Sequence, residues 1–168
     1  TNDGDLKEFK NPKLHALSDI IEESEGKIIV WANYIYNIES IIKFLQEKYG
    51  SKSVVANYGA VDSITRTKAM KRFQEDDECR FFVGNPTTGG FGLTLTAATN
   101  VIYFSNSFNY EVRRQSEDRA HRNGQTETVL YTDLICKGTL DERILTSLKN
   151  KNKLATETLG DDFKDWLK

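Results

Sequence analysis

The strongest constraint on the fold of this chain is a regular alternation between short apolar runs and longer segments with helical periodicity. The apolar runs have the uniform composition of buried strands, and they lie at residues 27–31, 53–56, 80–83, 100–104 and 128–135. The helical segments lie at residues 13–24, 35–49, 63–74 and 110–121. The first three carry apolar residues at helical spacing, and the fourth is a charged helix. This alternation predicts an α/β fold with a mainly parallel sheet covered by helices on both faces.

The length of 168 residues fits one such domain with a short appendage. A Thr-x-x-Glu capping box at 139–142 starts a further helix, with its hydroxyl expected on the third helical amide. The tail beyond it carries an apolar stripe, formed by Leu159, Phe163, Trp166 and Leu167. We therefore predict a flexible segment at 1–12, the α/β domain at 13–150 and a C-terminal helical extension at 151–168 that packs on the domain.

Charge and composition exclude several classes of protein. The net charge is −2 and the pI is about 5.8, which argues against a polycationic nucleic-acid binder but leaves room for a local contact surface. Cys79 and Cys136 form no CxxC pair, so we expect reduced thiols and a cytoplasmic protein. No apolar run approaches the roughly 20 residues that span a bilayer, so we expect no membrane contact. His15 and His121 are the only histidines, and we predict no metal site.

The sequence contains no complete catalytic apparatus that its motifs reveal. A phosphate-binding loop of the pattern GxxxxGK[ST] is missing, because Gly26-Lys27 is followed by Ile28 and has no glycine at the required upstream position. No hydrophobic strand ends in an Asp-Glu pair that could hold magnesium. The patterns HExxH and GxSxG are also missing. Any chemistry must therefore come from less complete patterns.

The first such pattern is a glycine-rich segment at 84–98 that directly follows a strand. Glycines let the backbone approach a ligand closely, and a helix that starts after them can face an anion with its amide end. The glycines by themselves also fit a tight connection between a strand and a helix. The spacing is not GxGxxG, so it does not support a dinucleotide fingerprint.

The second pattern is the charged segment 115–125. On a helix, Gln115, Arg119 and Arg122 fall within about 60° of one another, on one face. Two guanidinium groups side by side favour an anion such as phosphate. The alternative is a solvated face on which Glu117 and Asp118 pair locally with the arginines.

The third pattern is a basic helix at 63–74. Its cations are Arg66, Lys68, Lys71 and Arg72, with no acidic residue among them. This helix could line a phosphate backbone or be an ordinary solvated face.

Taken together, these segments resemble a known family. The run GGFGLTLTAA at 89–98 looks like motif V of superfamily-two helicases, and QSEDRAHRNGQ at 115–125 looks like motif VI in the form typical of Swi/Snf-type DNA translocases. Residues 27–33 occupy the place of motif IV, and TLDERI at 139–144 resembles the helix after motif VI. The likeness covers residues 13–153 with all blocks in order. The GFGLTLTAA variant is similar to the compact bacteriophage and prophage branch.

The resemblance implies the second RecA-like lobe of a Swi/Snf-type ATPase, with a three-layer α/β/α fold. In this family the phosphate loop and the magnesium ligands belong to a first lobe, and ATP with Mg²⁺ binds between the lobes. The implied partners are that N-terminal lobe and the backbone of double-stranded DNA, without sequence specificity. The isolated chain is expected to be a monomer and inactive, in bacterial host cytoplasm if of phage origin and in the nucleus if eukaryotic.

The resemblance also implies roles for individual residues. Arg119 and Arg122 would be arginine fingers, and Gln115 would orient them or contact the nucleotide. The loop that couples nucleotide to DNA would include Gly89, Gly90, Gly92 and Leu93. The expected contacts to the DNA backbone are Asn33, Arg66, Lys68, Thr88 and Thr94. Two alternatives remain: a non-catalytic RecA-like module that binds DNA or protein, and a flavodoxin-like small-molecule enzyme, which would explain neither arginine.

Overall fold

The structure, a computed structural model, describes residues 11–88 and 93–159. Its strands are β1 (Lys27–Trp31), β2 (Val54–Asn57), β3 (Phe81–Gly84), β4 (Ala98–Tyr103) and β5 (Leu130–Asp133). Its α-helices are α1 (Pro12–Glu23), α2 (Ile35–Tyr49), α3 (Ser63–Glu75), α4 (Tyr110–Asp118) and α5 (Leu140–Leu159). All predicted boundaries lie within two residues of these bounds, except the end of α4.

The five strands form one sheet in the order β2-β3-β1-β4-β5, and every neighbouring pair is parallel. Helices α1 and α2 cover one face, where Leu17 and Ile41 are fully buried against Ile28 and Val30 of the central strand. Helix α3 covers the other face through Phe73. The predicted three-layer α/β/α architecture with a parallel sheet is therefore confirmed.

Helix α3 shows one error in the predicted core. We expected Ile64, Met70 and Phe73 to point inward, and the last two do pack in the core. Ile64 instead is 68% exposed. At 100° per residue, Ile64 lies about 180° from Phe73 around the helix, so burying one exposes the other. The first turn is held by Asp62, whose carboxylate accepts from the amides of Ile64 and Thr65, as the predicted cap requires.

Helix α4 ends at Asp118, three residues before the predicted end. The carbonyl of Arg119 accepts from the Leu95 amide at 2.8 Å, so it does not serve a further helical turn. The chain then reverses near Gly124, whose φ of 104° is one that favours glycine. Arg119 and Arg122 consequently lie after the helix, and the prediction that they share a helical face with Gln115 is wrong.

Helix α5 starts differently from the predicted capping box. The Thr139 hydroxyl accepts from the amide of Asp141, the second helical residue, at 3.3 Å. The Asp141 carboxylate accepts from the Cys136 amide at 3.0 Å and pairs with Lys13 of α1 at 2.6 Å. Because this ion pair joins the first and last helices, it fixes the start of α5 on the domain.

The predicted C-terminal extension falls only partly within the described residues. Helix α5 continues without a break past residue 150, as far as Leu159. Phe163, Trp166, Leu167 and the side chain of Leu159 lie outside the described residues, so their packing stays a prediction, as does the division at 1–12, 13–150 and 151–168. Within the described part of the chain, no helix has the length and apolar character needed to cross a membrane.

The carboxyl ends of all five strands meet at one edge of the sheet. The strand register aligns one residue from each strand across this edge: Asn57, Gly84, Trp31, Tyr103 and Asp133. We call these residues the carboxyl-end row. Side chains of aligned residues in a parallel sheet point to the same face, and Trp31 and Tyr103 accordingly share the core beneath α3. Loops beyond this edge are where such sheets bind ligands.

Gly84 of the carboxyl-end row has no space for a side chain. A Cβ atom at this position would overlap the carbonyl oxygen of Asn57 and lie 3.2 Å from its Cβ. We predict that Gly84→Ala lowers the free energy of unfolding by about 1–3 kcal/mol, since backbone atoms must shift to admit the methyl group. Urea denaturation of the 168-residue chain measures this. Gly59→Ala is the matched control, because nothing lies within 4 Å of its Cβ position; equal effects at both positions would contradict the prediction.

Candidate functional site

The structure brings together the two segments that carry the strongest motifs. Residues 93–98, which lead into β4, lie against the turn that follows α4. The Leu95 amide donates to the Arg119 carbonyl at 2.8 Å, and Arg122 Nη1 donates to Thr94 Oγ1 at 3.1 Å. These two hydrogen bonds join segments that lie more than twenty residues apart in the chain.

Gln125 closes this contact, and the sequence analysis did not select it as a site residue. Its Nε2 donates to the carbonyls of Thr96, Ala98 and Ala120, at 2.9, 3.0 and 3.3 Å. One amide group thus holds carbonyls of both segments at once. Gln125 is the last residue of QSEDRAHRNGQ, and this position in the motif could have marked it as a site residue. Its spacing from other residues does not show which carbonyls it binds.

Helix α3 also binds the segment that leads into β4, through Gln74. Gln74 Oε1 accepts from the Ala97 amide at 2.9 Å, while its Nε2 donates to Thr96 Oγ1 at 3.2 Å. Both amide groups, Gln74 and Gln125, therefore fix the entry to β4. This leaves little freedom for the backbone of the segment that bears Thr94.

Arg119 is the most unusual side chain of the site. It is only 6% exposed, and its guanidinium carbon lies 5.3 Å from the centre of the Trp31 ring. Nη1 is buried and has no hydrogen-bond partner among the described residues. Burial lowers the pKa of Arg119, and the nearby Tyr103 hydroxyl offsets this only in part. A buried cation without an anion is costly, and the described residues offer this guanidinium no anion.

The other two predicted catalytic residues are more accessible. Arg122 is exposed apart from its bond to Thr94, and Gln115 is exposed on α4. All three therefore belong to one end of α4 and the turn after it, but only Arg119 is buried. Exposure leaves Arg122 free to change partners.

A second arginine, Arg113, is largely buried and holds α4 on the sheet. Its guanidinium lies 3.5 Å from the centre of the Tyr103 ring and donates to both carboxylate oxygens of Asp133, at 2.5 and 3.2 Å. It also bonds Glu117 at 2.6 Å and Asn106 at 3.0 Å. Burial lowers the pKa of Arg113, but its bonds to Asp133 and Glu117 outweigh this and raise it overall. Sequence reasoning missed this cluster, since only the pairing of β4 with β5 brings Asp133 to the helix.

Two of the predicted DNA contacts lie in loops at the carboxyl edge. Asn33 follows β1 and is tied to the loop after β4, because its side-chain amide donates to the Ser105 carbonyl at 3.0 Å. Thr88 follows β3, and its carbonyl accepts from Asn57 at 3.5 Å. Asn85 Nδ2 joins the two loops by donating to the Asn33 carbonyl at 2.9 Å. The loops after β1, β3 and β4 thus form a connected surface.

The remaining predicted contacts are on other elements. Lys68 is exposed on α3, whereas Arg66 on the same helix is half-buried and its Nε has no partner among the described residues. Leu93 is half-buried at the start of the segment that bears Thr94. Three members of the predicted coupling loop, Gly89, Gly90 and Gly92, lie outside the described residues. Within the described residues, 11–88 and 93–159, no group of three or more His, Cys, Asp or Glu side chains could hold a metal ion.

Comparisons of sequence and of structure both match this chain to the C-terminal domain of helicase-like ATPases. Residues 12–124 match the family described as the helicase conserved C-terminal domain. The human chromatin-remodeling ATPase INO80 is 32% identical over 156 residues, which is 90% of this chain and 10% of that protein. The ATP-dependent helicase FUN30 of Saccharomyces cerevisiae is 33% identical over 138 residues, which is 80% of this chain and 12% of that protein. The chain thus spans about a tenth of the length of these relatives.

A solved structure extends the likeness to the fold. The C-terminal part of the Fun30 ATPase domain superposes with a TM-score of 0.73 at 30% identity, covering 81% of this chain and 44% of that one. The predicted bacteriophage branch stays a prediction, since the relatives named above are a human and a yeast protein.

Proposed function

Since the chain belongs to the helicase conserved C-terminal domain family, as the second RecA-like lobe of a Snf2-type ATPase, we propose that it is one half of a motor that translocates on double-stranded DNA. A first lobe would hold ATP and Mg²⁺. This lobe would supply the arginine fingers and part of the DNA contact. The observation that carries the proposal is the buried guanidinium of Arg119 at the junction of the two motif segments, whose Nη1 has no hydrogen-bond partner among the described residues.

Arg119 and Arg122 suit the stabilisation of a transferring phosphoryl group. In such reactions charge spreads over the phosphate oxygens, and a guanidinium from a facing domain neutralises it. Among the described residues, Nη1 of Arg119 lacks a hydrogen-bond partner, and the side chain of Arg122 binds only a neutral hydroxyl. Each can therefore exchange its present contact for a phosphate without breaking an ion pair. Gln115 on the preceding helix would orient the nucleotide or its attacking water.

Magnesium bound with ATP would neutralise charge on the phosphate oxygens in the complete protein. The described residues contain no acidic cluster that would bind the ion, so we assign its ligands to the first lobe. What this chain contributes is positioned positive charge, held in place by the bonds of Leu95 to Arg119 and of Gln125 to both motif segments.

DNA contact would come from placed groups rather than from bulk charge. With a net charge of −2, the lobe has no general attraction for a polyanion. Asn33, Thr88 and Thr94 offer amide and hydroxyl groups, and Arg66 and Lys68 add charge. Contacts of this kind reach the phosphate backbone and do not read sequence. The working compartment would be the nucleus in a eukaryote or the cytoplasm in a bacterium, including a phage host.

The main test is ATP hydrolysis by a protein that joins this lobe to a first lobe. We expect hydrolysis to be stimulated by duplex DNA and much less by single strands, with no dependence on sequence. No hydrolysis by the two-lobe protein would favour the alternative of a non-catalytic RecA-like binding module, and hydrolysis that DNA does not change would contradict the proposed DNA motor.

The 168-residue chain by itself is expected to hydrolyse no ATP above background. It lacks GxxxxGK[ST], the pattern whose backbone amides and lysine hold the phosphates. A phosphate-release assay with Mg²⁺ and saturating duplex DNA measures this, with the same chain joined to a first lobe as the positive control. Substantial magnesium-dependent hydrolysis by the isolated chain would contradict the assignment of the catalytic parts to another lobe.

Thr94→Val is expected to reduce the stimulation of hydrolysis by DNA. The valine keeps the shape of the side chain but removes the hydroxyl that Arg122 binds at 3.1 Å. Loss of such a bond at a half-exposed site corresponds to about a three- to tenfold effect. The measurement is the ratio of DNA-stimulated to basal turnover in the two-lobe protein. Thr146→Val on exposed α5 is the control, and an unchanged ratio in Thr94→Val would remove Thr94 from the coupling.

A further inference from the structure

Two arginines lie over two aromatic rings of the carboxyl-end row. Arg113 lies 3.5 Å from the centre of the Tyr103 ring, and Arg119 lies 5.3 Å from that of Trp31. Trp31 and Tyr103 are register partners on the neighbouring strands β1 and β4. The two arginine–aromatic pairs are therefore side by side on the same face of the sheet. The partners of the two guanidinium groups can be compared directly.

The two pairs differ in what balances the charge. Arg113 has Asp133 and Glu117 as anionic partners, at 2.5 and 2.6 Å. Arg119 has no anionic partner among the described residues, and its Nη1 makes no hydrogen bond there. Accordingly the pKa of Arg113 is raised, despite burial, while burial lowers that of Arg119. The face of the indole is thus the main electrostatic contact that the structure gives the Arg119 guanidinium.

Trp31 is a rigid support for this contact. It is fully buried at the end of β1, and its ring meets Phe82 edge-on at 5.8 Å. Phe82 in turn packs on Phe73 of α3. The indole therefore cannot follow the guanidinium if the guanidinium moves.

The backbone of Arg119 is fixed as well, whereas its guanidinium makes no ion pair with the described residues. Its carbonyl is held by the Leu95 amide, but no ion pair or hydrogen bond from the described residues holds Nη1. A contact with an aromatic face is weaker than charge-assisted hydrogen bonds to a phosphate. A phosphate presented from outside would therefore displace the guanidinium from the ring by side-chain rotation alone.

We propose that Trp31 is a positioning residue for Arg119: its indole holds the guanidinium within the lobe while no phosphate is present, and releases it when a phosphate arrives. The contact between the Trp31 indole and the Arg119 guanidinium lies entirely within this lobe, so it does not depend on the function proposed above. Only the identity of the phosphate, that of a nucleotide on a facing lobe, rests on the function proposed above.

The first experiment tests the contact in the 168-residue chain by NMR. Protons above an indole ring resonate upfield, so the δ-methylene and Nε–H protons of Arg119 are expected upfield of those of Arg122, which is the internal control. Trp31→Leu should abolish this difference, and Trp31→Phe, which keeps an aromatic face, should retain most of it. An Arg119 signal at the position of exposed arginines in the wild-type chain would overturn the proposal, whether or not any variant folds.

The second experiment measures hydrolysis in the two-lobe protein. Trp31→Leu is expected to lower kcat by about 10- to 100-fold, the usual cost of a misplaced catalytic group, with the KM for ATP unchanged. Trp31→Phe should restore kcat to within about threefold of the wild type. An indole that only filled space in the core would not predict this recovery. Equal kcat values in the wild type and Trp31→Leu would overturn the positioning role.

The two proposals fail in different ways. If Arg119→Met leaves kcat unchanged, the arginine-finger role is wrong, yet the NMR result on the isolated chain still decides whether Trp31 holds the guanidinium. If Arg119→Met abolishes turnover and the ring-current shift is missing, the finger role stands and the role of Trp31 is wrong. Should Trp31→Leu not fold, the ring-current shift in the wild-type spectrum gives the decision.

Discussion

Arg119→Met in a two-lobe protein is expected to reduce ATP hydrolysis by about 10³- to 10⁵-fold, as the loss of other arginine fingers does. The reason is that the guanidinium is buried at the motif junction without an anionic partner among the described residues. The proposed function assigns its charge to a phosphate on the facing lobe. Steady-state turnover with saturating duplex DNA measures the effect, and binding of a fluorescent ATP analogue should change less than threefold.

Arg119→Met, which is expected to reduce hydrolysis, is expected to increase the stability of the fold. In the isolated chain, Arg119→Met replaces a buried cation by an apolar side chain of similar length, so the free energy of unfolding is expected to rise by about 1 kcal/mol. A functional group that costs stability is the signature expected of a catalytic residue. Arg143→Met, on the exposed side of α5, is the control and should change neither quantity. Near-normal turnover, or a clear loss of stability, would show that Arg119 is structural.

Arg113→Met is expected to produce the largest loss of stability, about 3–5 kcal/mol. The guanidinium is the common partner of Asp133, Glu117 and Asn106. Without it, two carboxylates remain in a partly buried site with no cation, and α4 loses its tie to β4 and β5. For a domain of this size the melting temperature should fall by roughly 6–20 °C, measurable by circular dichroism of the 168-residue chain.

The two arginine substitutions also serve as controls for each other. Arg113→Met and Arg119→Met remove the same group six residues apart, yet they are expected to change stability in opposite directions. A loss below about 1 kcal/mol for Arg113→Met would mean that its ion pairs contribute no more than surface pairs do. Arg143→Met again provides the baseline for an exposed arginine.

Much of the fold follows from local pattern. Apolar runs predict the strands, because the inner strands of a parallel sheet are buried on both faces, and helical spacing of apolar residues predicts most of the α-helices. The edge strand β5 differs, because its residues are exposed or half-buried. The exceptions have causes in the tertiary structure. Helix α4 stops early because the Arg119 carbonyl is bonded to Leu95 of a distant segment. Ile64 is exposed because only one face of α3 meets the sheet.

The candidate site follows from the sequence only in part. The motifs identify Arg119 and Arg122, since their residue types and spacing are those of the family. Gln125, Gln74 and Trp31 were not selected, because each acts through a contact with a segment far away in the chain. No local pattern specifies which carbonyl an amide will meet.

By itself, the sequence determined the order of the elements, the parallel sheet and the family, because these depend on residue types at short spacing. Only the tertiary structure decided which arginine is structural and which is available. Arg113 and Arg119 lie in the same charged segment, but the strand order places Asp133 of β5 beside Tyr103 and leaves Trp31 of β1 without an acidic neighbour in the carboxyl-end row. An ion pair needs proximity, and proximity here is set by strand register across the sheet.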